Sequence, residues 1–413
     1  MLPSPRLVPL AVALCAAAAP LVAQPPVQPA RSLPAPDATF EEPFSSIAPG
    51  TIRELRDGRL IVADARDKVV QLIDFRTGSA TAIGREGSGP GEFGMPMRLF
   101  PAANDTTFLF DPLNTRYLVI GPDGKPVTTF RVEEESSSGG GVRMRGMIFA
   151  RGSDGDGRLY AETPGFSMGP DGRPQSADSS ALIRWDRVTK RTDTLTWVKL
   201  QKQNVEVSGG QGNMRMMIGG SNPLTPRDEW AVFPDGRVAV VRADGYRVDW
   251  IQPNGTRQSS GPIRYTPIRI TDADKREEEA LRLRARANQM TVSMDAGPGG
   301  TRRSASVGPG ANAPPPPPLT DWPDVKPPFR PGMASVWARP NGELWVRRTE
   351  PAGAKGTLYD VINRQGVVTH QVRLGEGLTL VGFGNGTIYT TTLDEDDLVY
   401  LQRHAVPEQA LRG

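Results

Sequence analysis

Six residues occupy one equivalent point of a phrase that recurs along the chain, each six positions after the phrase's first turn: Asp64, Asp111, Thr163, Arg242, Arg348 and Thr392. Two kinds of chemistry follow from their types. Asp64 and Asp111, on neighbouring units, could contribute to a Ca²⁺ site, which takes several carboxylate or carbonyl oxygens. An Asp at the start of a loop can instead cap that loop by accepting the backbone N–H groups that follow it. Arg242 and Arg348, with Arg98 near the start of another strand, could clamp an anionic ligand through bidentate hydrogen bonds. A solvated Arg-rich rim would account for the same three residues.

Other chemistries find little material. His370 and His404 are the only histidines, and a catalytic zinc takes three protein ligands. His370 falls on an expected outer strand and His404 at the end of the last strand, so both are expected at the surface or an edge. No Gly-x-Ser-x-Gly elbow is present to support a Ser-His-Asp triad. The run Gly84 to Gly91 lacks the Gly-Lys-Ser/Thr that opens a phosphate-binding helix. Glu133-Glu134-Glu135, beside Ser and Gly, reads as a solvated loop.

The elements that must position these residues are strands. The phrase is a first turn, an apolar strand, a polar loop, a second strand carrying an aromatic, and another turn. It reads Asp57-Gly58, Leu60-Ile61-Val62, then Val69 to Phe75 in the first unit. It returns at Asn104-Asp105, Gly157-Arg158, Asp235-Gly236, Asn341-Gly342 and Asn385-Gly386. Asn-Gly and Asp-Gly between apolar runs are strong hairpin signals, and Tyr246-Arg247-Val248-Asp249-Trp250 alternates as a half-buried strand does. Repetition of one small sheet unit is the mark of a propeller. The expected fold is all-β: a six-bladed β-propeller of four-stranded antiparallel blades over 38–407. The aromatics Trp185, Trp250, Trp345 and Tyr400 are expected to pack between blades. The last unit lacks a fourth strand, which Ala38-Thr39-Phe40-Glu41 could supply, closing the ring and covering an edge.

Two insertions break the spacing. Pro164 to Ser180 reads as a Gly/Pro/Ser-rich loop. A larger one, 271–318, falls between blades four and five. Thr271-Asp272-Ala273-Asp274 forms a capping box that starts a helix running to about Met290. Glu278 stands four residues before Arg282, and the thin apolar stripe of Ala280, Leu281 and Ala287 suits a surface helix. Ala296 to Pro318 then reads as a disordered or polyproline II linker.

The first 23 residues carry one charge, Arg6, and an apolar run from Leu7 to Val22, followed by a small residue, Ala23. That is the form of a secretory signal peptide (1–23), leading into a Pro-rich linker (24–37). Cys15, the only cysteine, lies inside the signal, so an exported chain with no disulfide is expected, periplasmic or extracellular and held by packing alone. With 49 Lys and Arg against 46 Asp and Glu the charge is nearly balanced. The basic residues form no long block, which argues against nucleic acid as a partner.

Between the first two units lies Gly84-Arg85-Glu86-Gly87-Ser88-Gly89-Pro90-Gly91-Glu92-Phe93, preceded by Ile61-Val62-Ala63-Asp64. These stretches resemble the NHL-repeat branch of bacterial six-bladed propellers, where such a phrase links the outer strand of one blade to the inner strand of the next. Thr163 and Arg242 stand where that repeat usually places an Asp. The resemblance implies fold more than activity, since propellers host binding modules, lyases and lactonases alike. The expected function is binding of a protein, carbohydrate or small anionic ligand on one face of the ring, by a monomer with no membrane span after signal cleavage, no required cofactor and no catalysis. The alternative is a metal-assisted lyase or lactonase using carboxylates near the central channel.

Overall fold

A computed structural model describes residues 29–132, 148–168, 174–201, 204–208, 215–219, 222–287, 290–297, 300–307, 316, 318–332 and 334–406. The expected signal peptide, Cys15 and the Glu133-Glu134-Glu135 run lie outside these residues.

Each repeated phrase folds into one four-stranded antiparallel sheet, and six such sheets form the propeller. Blade I comprises Ile52–Glu54, Leu60–Asp64, Val69–Asp74 and Ser79–Ala82. Blade II comprises Arg98–Pro101, Thr107–Asp111, Arg116–Ile120 and Pro126–Phe130. Blade III is built from Gly152–Ser153, Leu159–Glu162, Ser179–Trp185 and Thr192–Lys199. Blade IV uses Glu229–Val232, Val238–Arg242, Arg247–Ile251 and Arg257–Ser259. Blade V has Val336–Ala338, Leu344–Arg347, Thr357–Ile362 and Val368–Leu374. Blade VI contributes Thr379–Phe383, Thr387–Leu393 and Val399–Ala405.

The turns explain why the phrase repeats. In blades I, IV and V the Asx side chain accepts the backbone N–H two residues on, from Arg59, Arg237 and Glu343, at 3.0–3.1 Å. The glycine between them, at positions 58, 236 and 342, has φ between 81° and 92°. A side chain at that φ would be strained, so Asx-Gly is the economical solution.

Burial follows the ring. Among the described residues there are six apolar clusters, and each joins two adjacent blades: I with II, II with III, III with IV, IV with V, V with VI, and VI with I. The second strands are therefore apolar on both faces, as in Leu60–Asp64, where every residue is buried. This departs from simple alternation because a propeller blade has a neighbour on each side. Trp185, Trp250 and Trp345 are buried in these clusters, as expected; Tyr400 is half-buried and belongs to none.

The ring closes as expected. Ala38–Thr39 pairs antiparallel with Val399–Ala405 as the fourth strand of blade VI. Within the expected Pro-rich linker, Arg31–Ser32 adds a fifth, parallel strand to the outer edge of blade V. Both histidines are buried, against expectation, and the strap meets one of them, His404. His370, on the outer strand of blade V, is 4 % exposed, and His404 is 1 % exposed with its Nδ1 donating to the Pro34 carbonyl at 2.8 Å.

The insertions carry more structure than their composition suggests. Inside 164–180, Phe166–Met168 pairs with Pro174–Ser176. An unforeseen hairpin, Asn204–Ser208 with Arg215–Gly219, follows blade III. Helix α1 spans Asp272–Ala287. After it, Met290–Gly297 pairs with Gly300–Val307, a hairpin that starts near the expected helix end and runs into the Ala296–Pro318 stretch expected as linker. No helix among the described residues is long and apolar enough to cross a membrane.

Candidate functional site

Topology decides which face can carry a site. A chain that enters a blade at one face makes four antiparallel passes and leaves by the same face. Blade-to-blade crossovers and the loops between second and third strands therefore share that face. The long segments 83–97, 163–178, 200–228, 260–335 and 348–356 are all of these kinds. The opposite face is closed by short turns such as 55–59, 121–125, 233–237, 252–256 and 363–367. Loops of the first kind can vary while the blades hold them rigidly, which is how binding sites are usually carried.

The expected site residues all reach the insertion-bearing face, but the structure gives each a local partner. Asp64 Oδ2 accepts the N–H groups of Ser45 and Ser46 at 2.8 and 2.9 Å, and Oδ1 those of Arg66 and Asp67 at 2.9 and 3.2 Å. Asp111, fully buried, accepts from the backbones of Gly94 and Met95 at 3.0 Å and from Asn114 Nδ2 at 2.7 Å. Both therefore cap their own loop and tie it to the crossover beside it. Asp228 repeats the device in blade IV, accepting from the backbones of Lys199 and Ala243. Among the described residues, no three His, Cys, Asp or Glu side chains lie together as a metal would require.

The three arginines are not brought into one clamp. Arg242 Nε binds Asp249 at 2.6 Å and its Nη1 binds Asp228 at 2.8 Å, while Nη1 also donates to the Trp197 carbonyl of blade III. Arg348 pairs with Asp360 at 3.3 Å and lies 5.1 Å from the Tyr246 ring. Burial opposes its charge, but Asp360 and Tyr246 outweigh burial and raise its pKa. Arg98 opens the inner strand of blade II and donates to the Arg151 carbonyl at 3.2 Å. Burial, reinforced by Arg151, pulls the Arg98 pKa down to about 10.

Sequence reasoning missed a buried charge network next to Arg98. Arg151 binds Glu162 and, at 2.8 Å, Glu229; Arg227 binds Glu229 at 2.9 Å and Glu162 at 3.3 Å. The Trp230 indole N–H donates to Glu162 at 2.7 Å, and the Gly332 N–H to Glu229 at 2.7 Å. Glu229 is wholly buried. The available signal was positional: once the blades are aligned, an Arg opens or shortly precedes the inner strands of blades II, III and IV.

A second charged region lies between α1 and blade V. The capping box forms as expected, with the Thr271 N–H donating to Asp274 Oδ2 at 2.7 Å. The helix then turns a charged face toward the ring. Asp274 meets Lys326 at 2.5 Å, and the Ala352 N–H donates to Asp274 at 2.8 Å. Burial would raise the Asp274 pKa, but Lys326, Thr271 and the Ala352 N–H prevail and hold it at about 2. Glu278 takes both Nη groups of Arg330 rather than the expected Arg282, which pairs with Glu279 at 3.4 Å. A cleft of about 90 Å³ remains, lined by Glu277, Leu281, Arg347, Thr349, Glu350 and Thr357 among others. Arg347 stands at its lip and makes no hydrogen bond or ion pair with any described side chain. It is an exposed residue; desolvation, helped by Arg330, lowers its pKa against the opposing pull of Tyr359, Glu278 and Glu350.

No family model matches the chain, and no curated protein matches it in sequence. Solved structures do match in shape. A Bacteroides fragilis protein described as exported aligns over 90% of this chain and 94% of its own, at 10% identity and TM-score 0.43. A DUF4221 member from Bacteroides vulgatus aligns over 90% and 95%, at 8% identity and TM-score 0.42. The calcium-binding protein regucalcin from Agrobacterium tumefaciens aligns over 92% and 97%, at 11% identity and TM-score 0.34. At these identities the likeness concerns fold alone.

Proposed function

We propose that this chain is an exported, monomeric propeller of the NHL-repeat kind that binds a protein, carbohydrate or small anionic ligand on its insertion-bearing face. One observation carries the reading: every long connection among the described residues emerges on that face, while tight turns close the other. Export rests on the signal-like residues 1–23, and the NHL reading on the 84–93 phrase linking blade I to blade II. In that phrase Arg85 pairs with Glu92 at 2.8 Å, Phe93 is buried, and Arg116 of blade II donates to the Glu92 carbonyl at 2.7 Å. A metal-assisted lyase or lactonase working through Asp64 and Asp111 has less support, because backbone N–H groups already fill both carboxylates.

The test is hydroxyl-radical footprinting of the mature protein with and without hits from a panel of glycans, peptides and small organic acids. Protection should fall within 163–178, 200–228, 260–335 or 348–356. Protection confined to 55–59, 121–125, 252–256 and 363–367 would place binding on the wrong face and end the proposal.

A further inference from the structure

Helix α1 presents its carboxylates to the ring and its leucines to water. Among its described residues only Asp274 and Glu278 are buried, while Leu281 and Leu283 are 42 % and 53 % exposed. Carboxylates make the contacts that hold it down. Asp274 takes Lys326 at 2.5 Å and the Ala352 N–H at 2.8 Å, Glu277 takes the Gly353 N–H at 3.1 Å, and Glu278 takes both Nη groups of Arg330. The trough that receives them is fixed to blade V independently of α1. The Arg330 N–H donates to the Arg347 carbonyl at 2.8 Å, Phe329 bridges to Arg348 and is buried in the core between blades IV and V, and Lys326 Nζ donates to the Glu350 carbonyl at 2.6 Å. Within the trough Arg348 is matched by Asp360 and Glu350 by Arg373. Lys326, Arg330 and Arg347 are left facing Asp274, Glu277 and Glu278, so the charge balances only because α1 is seated there.

We propose that this trough is a docking surface for an acidic segment of a partner protein, and that α1 occupies it in cis as an exchangeable stand-in. Apolar burial is the main source of docking energy, and α1 fully buries no described apolar side chain. Buried ion pairs return little beyond the desolvation they cost, and a helix of 16 residues is marginal by itself in water. A partner with carboxylates at the same spacing exchanges like for like, since its own groups lose water as Asp274 and Glu278 regain it. The spacing is specific: an Asp with Glu three and four residues on lies along one side of a helix. The backbone N–H groups of Ala352 and Gly353 add donors of fixed direction. Tethering sets the balance, because a joined segment competes at an effective concentration of the order of 1 mM. A free partner therefore sees its affinity reduced by the small fraction of chains in which α1 is undocked. The inference rests on the binding face proposed above, and names the partner's chemistry and the element that regulates access.

The experiment titrates the mature chain with a fluorescent, Ala-rich helical peptide that carries the Asp-x-x-Glu-Glu spacing, and with the same peptide bearing Asn and Gln instead. A chain freed of its own carboxylates by Asp274→Asn, Glu277→Gln and Glu278→Gln should bind the acidic peptide at least about tenfold more tightly than wild type, the ratio imposed by a docked population about ten times the undocked one. It should not bind the amide peptide. Binding should weaken severalfold between about 0.05 and about 0.5 M NaCl. Adding Arg330→Gln to the freed chain should remove the gain and Arg330→Lys should keep part of it. Arg76→Gln, at an exposed residue bonded within its own turn, should leave the gain intact. Wild type supplies a test that needs no variant: acidic peptide at about 1 mM, the concentration it must match, should speed hydrogen exchange of the α1 amides and leave blade amides unchanged. Thermal melts confirm that each variant is folded. No binding to the freed chain, equal binding of the amide peptide, equal affinity for wild type and the freed chain, or α1 amides indifferent to the peptide would overturn the docking surface. Footprint protection elsewhere on the same face would then leave the broader binding proposal standing.

Discussion

At Glu229 a single carboxylate holds together three chain segments that are distant in sequence: Arg151 ahead of blade III, Arg227 ahead of blade IV, and the Gly332 backbone after the long insertion. It is wholly buried, so losing it leaves two guanidinium groups short of counter-charge in a region with little water. Removing one member of such a network costs about 3–5 kcal/mol. Glu229→Ala is accordingly expected to lower the urea midpoint by an amount equivalent to about 3 kcal/mol with an unchanged slope; a loss below about 1 kcal/mol, the value of an exposed pair, would show that the network is solvated. This network was hard to see in the sequence because its members are far apart and charged residues are common throughout the chain. Asp64 and Asp111 were visible, since both stand at a fixed step from a turn. Their type suited either a cation or a loop cap, and only the positions of the neighbouring N–H groups show the capping.

At the level of elements, α1 shows how a helix with little apolar surface can still be anchored. Its capping box and 3.6-residue spacing place Asp274 and Glu278 one turn apart on the same side, where Lys326, Arg330 and the 349–354 loop meet them. Because its partners hold the Asp274 pKa at about 2, below the ordinary value of 3.8, this carboxylate stabilises the docked helix fully above about pH 3.8. The contribution fades as pH falls from there through about 2. Asp274→Asn removes the charge at every pH. The expected outcome is hydrogen exchange of the α1 amides at least about tenfold faster, matching the loss of roughly 1.4 kcal/mol or more, with blade amides unaffected. Uniform acceleration through the blades would mean that α1 is part of the global folding unit. The helix was legible from its cap. The hairpins at 204–219 and 290–307 were not, because polar, Gly-rich composition resembles linker and pairing depends on a partner strand rather than on either strand alone.

For the whole molecule, the decisive contact is closure. The strap from Arg31 to Thr39 crosses from blade V to blade VI, and its Pro34 carbonyl accepts a hydrogen bond from His404. Burial lowers the pKa of both histidines from the ordinary 6.5. The unfolded chain therefore takes up protons first, and stability is greatest above about pH 6.5 and falls as pH drops from there through the lower folded values. The melting temperature should be lower at pH 5 than at pH 7.5, and His404→Asn should flatten part of that slope. A melt independent of pH over this interval would show that both imidazoles are free to protonate.

The sequence by itself determined the number of blades, their turns, the ring closure and the start of α1. Each is written in short-range chemistry: an Asx side chain reaching two residues ahead, a glycine at positive φ, apolar strands of fixed spacing, a Thr with an Asp three residues on. Tertiary structure alone decided that Asp64 and Asp111 serve as loop caps, that Arg98, Arg242 and Arg348 stand apart, and that both histidines are buried. Those outcomes depend on which side chains from remote blades arrive beside each group. Charge balance and burial are properties of that meeting, and local spacing carries no record of it.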